Sequence, residues 1–198
     1  GLGMEVDDKS IYEVIMGRMK LTDVMEETEF KNLSIAGSDV RLANAELELV
    51  EVEKREYRLK TAVQSVQQDF DFIFIDCPPS LGLLTINALG AADSVLIPIQ
   101  CEYYALEGVA SLMNTISRVK KTINPHLEIE GVLLTMLDGR TNLGLQVVDE
   151  VKKHFKKQVY ATVIPRSVRL GEAPSHGEPI HVYDKRSAGC VAYVNLAK

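Results

Sequence analysis

Residues 72–82 read Phe-Ile-Phe-Ile-Asp-Cys-Pro-Pro-Ser-Leu-Gly, and this stretch decides the fold class. Its first four residues form a continuous apolar run, which predicts a strand buried on both faces within a parallel sheet. Asp76 follows directly, so its carboxylate is expected at the carboxyl edge of the sheet, where open α/β folds bind their ligands. A carboxylate there can bind Mg²⁺, directly or through water, beside nucleotide phosphates. The alternative is an aspartate that only ends the strand and caps the next turn.

The residues after Asp76 favour the functional interpretation. Pro78 and Pro79 restrict the backbone at the strand exit, and Gly82 supplies a flexible point before a predicted helix at 83–91. A lone strand-terminal aspartate is more often structural, but the attached prolines and glycine reverse that balance. We therefore take Asp76 as a candidate catalytic and metal-binding residue.

Apolar runs alternate with amphipathic stretches along the rest of the chain. Besides 72–75, strands are predicted at 33–36, 95–99, 132–136 and 159–164. Helices are predicted at 57–67, 83–91, 106–123 and 143–155, with Asn142 as the N-cap of the last. Shorter helical stretches are predicted at 10–19, 39–49 and 187–197. This order predicts one α/β domain over residues 1–198, with a doubly wound, mostly parallel sheet and helices on both faces.

The composition argues against several classes of protein. The 198 residues carry a net charge of −6 and contain three cysteines, which lie far apart. That pattern disfavours a disulfide framework and a zinc site, and it indicates a reducing cytosol. No apolar run reaches the roughly 18–20 residues that span a bilayer, and the first eight residues do not predict a secretory signal. The acidic total disfavours a dedicated nucleic-acid coat, although Lys and Arg cluster between residues 152 and 169.

Four segments in the same order resemble the ParA/Soj family of partitioning ATPases. Residues 76–89 (Asp-Cys-Pro-Pro-Ser-Leu-Gly-Leu-Leu-Thr-Ile-Asn-Ala-Leu) resemble the Walker B and switch II segment of that family. Residues 98–108 resemble its next strand end, and residues 130–138 and 164–177 extend the match. The resemblance covers essentially the whole chain. It implies a P-loop type fold that uses ATP and Mg²⁺ to partition chromosome or plasmid DNA.

The resemblance also implies roles for single residues near the phosphates. Asp76 would position Mg²⁺, directly or through water. Cys77, Pro78, Pro79 and Gly82 would belong to a switch that reports the γ-phosphate.

Two further sets of residues receive roles from the resemblance alone. Thr135, Met136 and Pro165 are placed beside the adenine ring; the alternative is that Met136 and Pro165 are simple core and turn residues. Arg140 and Arg169 are placed on a surface that binds nonspecific DNA, where guanidinium groups contact phosphates without reading sequence. Without the resemblance, exposed arginines of this kind are usually just solvated.

The sequence departs from the family pattern at one point. Family members begin with a strand, a glycine-rich Walker A loop that carries two lysines, a helix and a second strand, and no such loop occurs between Gly1 and Lys198. Backbone amides of the loop bind phosphates, and its lysines neutralise developing charge. We therefore expect an N-terminally truncated sequence, with ATPase activity in the parent protein and none in these residues alone.

The resemblance implies particular partners. ATP would join two subunits into a homodimer that binds nonspecific DNA, and a centromere-bound ParB-like partner would stimulate hydrolysis. This implies a cytoplasmic, nucleoid-associated protein with no membrane partner. Two alternatives stay open. One is a MinD-like ATPase that cycles on membranes, which needs a basic amphipathic C-terminal helix that is not visible before Lys198. The other is a non-hydrolysing DNA-binding or scaffold protein.

Overall fold

The computed structural model describes residues 2–78, 80–102 and 105–198, without the side chains of residues 105–107. The chain forms two compact units. The first, the sheet unit, comprises residues 2–4, 94–113 and 128–198, and the second, the helical unit, comprises residues 5–93 and 114–127. Both contain buried apolar side chains. A single domain over residues 1–198 stays a prediction.

Within these residues the strands are β1 (Met25–Glu27), β2 (Ser34–Ala36), β3 (Ser94–Gln100), β4 (Glu128–Leu137) and β5 (Val159–Pro165). The α-helices are α1 (Ile11–Ile15), α2 (Ala45–Glu48), α3 (Arg58–Gln64), α4 (Leu83–Ala91), α5 (Ala105–Thr122), α6 (Asn142–Phe155), α7 (Val168–Glu172), α8 (Ile180–Tyr183) and α9 (Ala188–Leu196). The 3₁₀ helices are Leu21–Asp23, Val40–Asn44, Leu49–Glu51, Arg55–Tyr57, Gln67–Asp69, Lys156–Gln158 and Ala173–His176.

β3, β4 and β5 form a parallel sheet with β4 in the middle. Ile97 of β3 lies opposite Val132 of β4. Ile97, Val132, Leu134 and Ile164 are all at most 2% exposed, so the sheet carries much of the apolar core of its unit. Three of the five predicted strands are thereby confirmed with slightly wider bounds.

α6 packs against β4 and β5 through one apolar stripe. Its buried residues include three at a four-residue spacing, Val147, Val151 and Phe155. The N-cap is Thr141, whose Oγ1 accepts a hydrogen bond from the Gly144 amide at 3.3 Å. The prediction of Asn142 as N-cap is wrong by one residue, because Thr141 keeps an extended backbone and Asn142 is already the first helical residue.

In the helical unit, α1 packs against α3 and α3 against α4. Asn87 of α4 is fully buried and joins these elements. Its Oδ1 accepts a hydrogen bond from the Leu59 amide at 3.1 Å, and its Nδ2 donates to the Arg55 carbonyl at 2.9 Å. Because a buried amide is costly unless it is hydrogen-bonded, this side chain fixes α4 against α3. α4 has the predicted bounds, whereas the helix predicted at 39–49 divides into α2 and two flanking 3₁₀ helices.

The prediction that residues 33–36 join the parallel sheet is wrong. β2, which covers most of that stretch, pairs antiparallel with β1 in a separate two-stranded sheet. A short turn connects the two strands, and the Thr28 amide donates to the Leu33 carbonyl across it at 3.0 Å. So short a connection allows only antiparallel pairing, since parallel strands need a longer crossover.

The prediction of a buried strand at residues 72–75 is also wrong. Phe72 and Phe74 are 80% and 92% exposed, and Ile73 is 39% exposed. An extended segment becomes a strand only when a neighbour completes the ladder of hydrogen bonds. No strand in the described part of the chain pairs with residues 72–75.

Candidate nucleotide site

The carboxyl ends of the parallel strands lie beside an open cavity of about 510 Å³ in the sheet unit. The described residues that line it are Cys101, Glu102, Met136, Asp138, Thr141, Leu143 and Arg166. Its volume falls within the range of small-molecule sites, roughly 300–1,000 Å³. Apolar side chains, the Arg166–Glu102 ion pair and the Asp138 carboxylate line it together, at the sheet edge where open α/β proteins bind ligands. The cavity is therefore the candidate nucleotide site of this unit.

Met136 reaches this cavity in an unusual backbone conformation. Its φ of 54° lies in the left-handed region, which costs a residue other than glycine on the order of 1–3 kcal/mol. Strain of this kind concentrates at binding and catalytic sites. Thr135 instead contacts β3: its Oγ1 donates to the Ile99 carbonyl at 3.4 Å. Of the three predicted adenine contacts, the structure places Met136 in the cavity, whereas Thr135 and Pro165 are not among the described residues that line it.

The charged residues that line the cavity all form ion pairs within the described part of the chain. Arg166 pairs with Glu102. Arg140 forms a bidentate pair with Asp138, whose Oδ1 accepts from Nε at 2.9 Å and whose Oδ2 accepts from Nη2 at 2.7 Å. Hydrogen bonds from Arg140 hold the pKa of the Asp138 carboxyl well below its usual range. Among the described lining residues, the carboxylates of Glu102 and Asp138 therefore each pair with a guanidinium.

The two arginines predicted to bind DNA are accessible in the structure. The side chain of Arg140 is 89% exposed and that of Arg169 is 55% exposed. Arg169 has carboxylate partners of its own, Glu172 Oε2 at 2.9 Å from Nη1 and Asp184 Oδ2 at 3.5 Å from Nε. Any phosphate bound by either arginine must therefore replace or share a carboxylate.

The predicted switch residues lie in the helical unit. Asp76, Cys77 and Pro78 are exposed, Pro79 lies outside the described residues, and Gly82 is the N-cap residue of α4. The Asp76 carboxylate forms no hydrogen bond or ion pair within the described part of the chain. Desolvation by neighbouring atoms, and secondly the Asp76 carboxylate, raises the pKa of the Cys77 thiol. The structure thus presents an accessible carboxylate just before a helix.

Sequence reasoning missed part of the cavity lining. Asp138 and Arg166 each follow the last residue of a strand, β4 and β5 respectively. The rule that ligands bind at the carboxyl edge of a parallel sheet applies to both and would have identified them. Thr141 and Leu143 carried no such signal, because their position depends on the turn between β4 and α6.

The chain is similar in sequence to one family model and to several bacterial proteins. A family model described as AAA domain matches residues 1–129. The sporulation initiation inhibitor protein Soj of Bacillus subtilis (strain 168) is 56% identical over 200 residues, which cover 100% of this chain and 79% of Soj. The chromosome partitioning protein ParA of Myxococcus xanthus (strain DK1622) is 50% identical over 200 residues, which cover 100% of this chain and 71% of ParA.

Among solved structures, the chain resembles cobyrinic acid a,c-diamide synthase from Mycobacterium smegmatis, solved with a bound ATP analog and magnesium. The TM-score is 0.83 at 35% identity, and the match covers 99% of this chain and 73% of that protein. The parallel sheet with flanking helices is thus the fold of a P-loop type nucleotide-binding protein.

The sequence matches over the full length of the chain define its family more narrowly than the fold does. The chain belongs to the ParA/Soj family of chromosome-partitioning ATPases, as its sequence predicted. None of the helices in the described residues is long and apolar enough to cross a membrane.

Proposed function

We propose that this chain works as the nucleotide switch of a DNA-partitioning system. The observation that carries the proposal is the likeness, over the whole chain, to proteins named Soj and ParA. In the proposal, ATP and Mg²⁺ are the cofactors, and two subunits form a homodimer when ATP is bound. The dimer binds nonspecific DNA, and a ParB-like partner stimulates hydrolysis and release. The protein then acts in the cytoplasm, on the nucleoid.

Asp76 has the properties of a magnesium ligand. Its carboxylate is exposed and has no protein partner within the described residues. No group of three or more potential metal ligands occurs in that part of the chain. Mg²⁺ usually binds one or two carboxylates together with substrate phosphates and water, so a single free aspartate suits it. When bound, the ion would neutralise negative charge on the transferred phosphoryl group, while Asp76 would hold it directly or through water.

The residues after Asp76 are proposed to sense the nucleotide. Cys77, Pro78, Pro79 and Gly82 would change position when the γ-phosphate is present, as switch segments do. The exposure of Cys77 and Pro78 supports this role, because few packing contacts need to break when the segment moves.

Met136 is the residue best placed to contact adenine. Its thioether is polarizable and packs well against aromatic rings, and Cys101 and Leu143 add apolar surface to the same cavity. Thr135 and Pro165 stay in the proposal as its neighbours on β4 and β5.

Arg140 and Arg169 are proposed to hold DNA by its phosphates. Their side chains are more than half exposed, so water screens the ion pairs that they form with their carboxylate partners. Such partners are exchanged for phosphate at little cost. Since the chain carries a net charge of −6, a local pair of arginines, rather than the overall charge, must supply the attraction.

Hydrolysis itself is proposed to require a phosphate-binding loop that these 198 residues do not contain. Glycine-rich loops bind phosphates by backbone amides, and their lysines stabilise transferred charge. We therefore propose ATPase activity for a protein in which such a loop is joined to these residues.

The direct test of the proposal is nucleotide-dependent DNA binding by that extended protein. Fluorescence anisotropy of a labelled duplex of arbitrary sequence would be measured with ATP, with ADP and without nucleotide. Tight binding with ATP alone is expected. Equal binding in all three conditions would indicate a non-hydrolysing DNA-binding protein. ATP-dependent binding to anionic lipid vesicles, with no binding to DNA, would indicate a membrane-cycling ATPase.

A further inference from the structure

The carboxylate of Glu46 occupies the space in which a side chain on Gly82 would lie. A Cβ atom built on Gly82 would lie 2.2 Å from Glu46 Oε1 and 2.5 Å from Oε2. The backbone of Gly82 (φ −84°, ψ −165°) is open to any residue, so its conformation does not require glycine. A side chain at this position would therefore displace the carboxylate of Glu46, which is 36 positions away in the sequence.

The same carboxylate caps the helix that follows the switch segment. Glu46 Oε1 accepts a hydrogen bond from the Leu84 amide at 3.1 Å, at the first turn of α4. The N-cap residue of α4 is Gly82, which has no side chain to do this. The first amides of a helix lack partners within it, and a negative charge is favourable at this end. Glu46 of α2 thus supplies the missing cap from another element.

The first turns of α4 are fixed from other directions as well. Thr85 Oγ1 donates to the Ser80 carbonyl at 2.5 Å. The Asn87 side chain is fully buried and bonds to Arg55 and to the Leu59 amide. Because Asn87 anchors α4, whereas Ser80 belongs to the segment that would move, a movement of residues 76–82 must be taken up just before the helix, where Glu46 contacts Gly82.

We propose that Glu46 is a positioning residue of the switch: its carboxylate fixes the point at which residues 76–82 join α4. This inference rests on the proposed function, in which that segment responds to the nucleotide. Glu46 itself is not assigned any contact with the nucleotide. It acts through the Leu84 amide and through the space that Gly82 leaves open.

The contact can be tested by a double-mutant cycle in the extended protein. Hydrogen exchange at the Leu84 amide reports the cap directly. E46A should speed this exchange roughly two- to tenfold, the change expected when one hydrogen bond is lost. G82A should have a similar effect, because its methyl group displaces the flexible Glu46 side chain. The E46A/G82A double variant should exchange no faster than either single variant, since both changes remove the same contact.

Two controls make this result specific. E46Q keeps a carbonyl oxygen that can accept from the Leu84 amide, so its exchange should stay near the wild-type rate. The Leu59 amide, which bonds to Asn87, should keep its wild-type exchange in every variant if α4 remains docked. Effects of E46A and G82A that multiply in the double variant would overturn the proposal, and so would an E46A variant with unchanged exchange at Leu84.

A second measurement distinguishes a role of Glu46 in positioning the switch segment from a role in stabilising α4 alone. Cys77 is exposed, whereas Cys101 and Cys190 are buried, so a thiol reagent reads the switch segment selectively. In wild type, an ATP analog with Mg²⁺ should change the labelling rate of Cys77. In E46A this change should shrink at least roughly twofold, with E46Q restoring it. A full nucleotide response in E46A would overturn the positioning role. A wild-type protein without any response would contradict the proposed function, while the exchange cycle would still test the contact.

Discussion

The guanidinium of Arg140 and the carboxylate of Asp138 form a bidentate ion pair just after β4, with N–H···O distances of 2.9 and 2.7 Å. The arginine side chain is 89% exposed, so water screens the pair and it contributes little to stability. The pair instead determines how readily Arg140 can bind another anion. The proposed DNA contact is a competition between Asp138 and a phosphate for the same guanidinium.

Replacing either proposed DNA contact by glutamate should weaken binding to all DNA sequences alike. R140E and R169E should each also reduce the slope of log affinity against log salt concentration by roughly one unit, which is the contribution of one phosphate contact. DNA binding with ATP across a salt series measures both effects.

A matched control for charge is K153E, since Lys153 is an exposed α6 residue that pairs with Glu150 and has no proposed DNA contact. It should keep most of the wild-type slope. ATP binding should survive in all three variants. Unchanged affinity and slope in both R140E and R169E would place the DNA surface elsewhere.

Removing the charge of Asp138, which competes with DNA phosphate for Arg140, should strengthen DNA binding. D138N deletes the negative charge that holds Arg140, so nonspecific DNA binding should tighten by roughly two- to tenfold at low salt and less at high salt. The double variant D138N/R140E should lose this gain, because the arginine is then absent. Weaker DNA binding by D138N would contradict the competition.

Met136 offers a test of backbone strain that is independent of ligands. Alanine is normally more favourable than glycine within regular structure, but at a φ of 54° the order should reverse. M136G should therefore be more stable than M136A by about 1 kcal/mol in urea unfolding. Thr135, which is not among the positive-φ residues, is the matched control, and T135A should be more stable than T135G. An M136A variant more stable than M136G would show that the left-handed backbone at this position carries no free-energy cost for a residue other than glycine.

The sequence predicted the elements whose signal is local. β3, β4 and β5 follow continuous apolar runs, and α6 follows a stripe at Val147, Val151 and Phe155, so each pattern is read from neighbouring residues. Residues 72–75 carry an equally clear apolar run but form no strand, because a strand also depends on a partner that periodicity does not report.

The same difference between local patterns and contacts of distant residues limits what the sequence predicts of the site. Asp76 is a candidate because it follows an apolar run, whereas Met136 and Arg140 are candidates through the resemblance to the family. The left-handed backbone of Met136 and the contact between Glu46 and Gly82 arise only when distant segments pack together. The sequence predicts a flexible point at Gly82, whereas in the structure its backbone is one that any residue can adopt and the Glu46 carboxylate lies where a side chain would begin.

Asp76 should be dispensable for folding and essential for hydrolysis. Its carboxylate is exposed, so D76A should unfold within about 0.5 kcal/mol of wild type, as surface substitutions usually do. ATP turnover by the extended protein should fall by roughly a hundredfold or more, the scale seen when one electrostatic contact to the transition state is removed. D76N, which keeps the shape and loses the charge, should be similarly inactive. A destabilised D76A without a separate catalytic defect would make Asp76 a structural cap.

The central claim is that these 198 residues belong to an ATP-driven switch whose chemistry needs a phosphate-binding loop. The most direct measurement compares phosphate release from ATP by this chain and by the protein extended through such a loop, both with Mg²⁺ and DNA present. The account predicts turnover by the extended protein and none above background by the 198 residues alone, because they lack the glycine-rich loop and its lysines. Turnover by the 198 residues at the rate of the extended protein, or none by either, would contradict it.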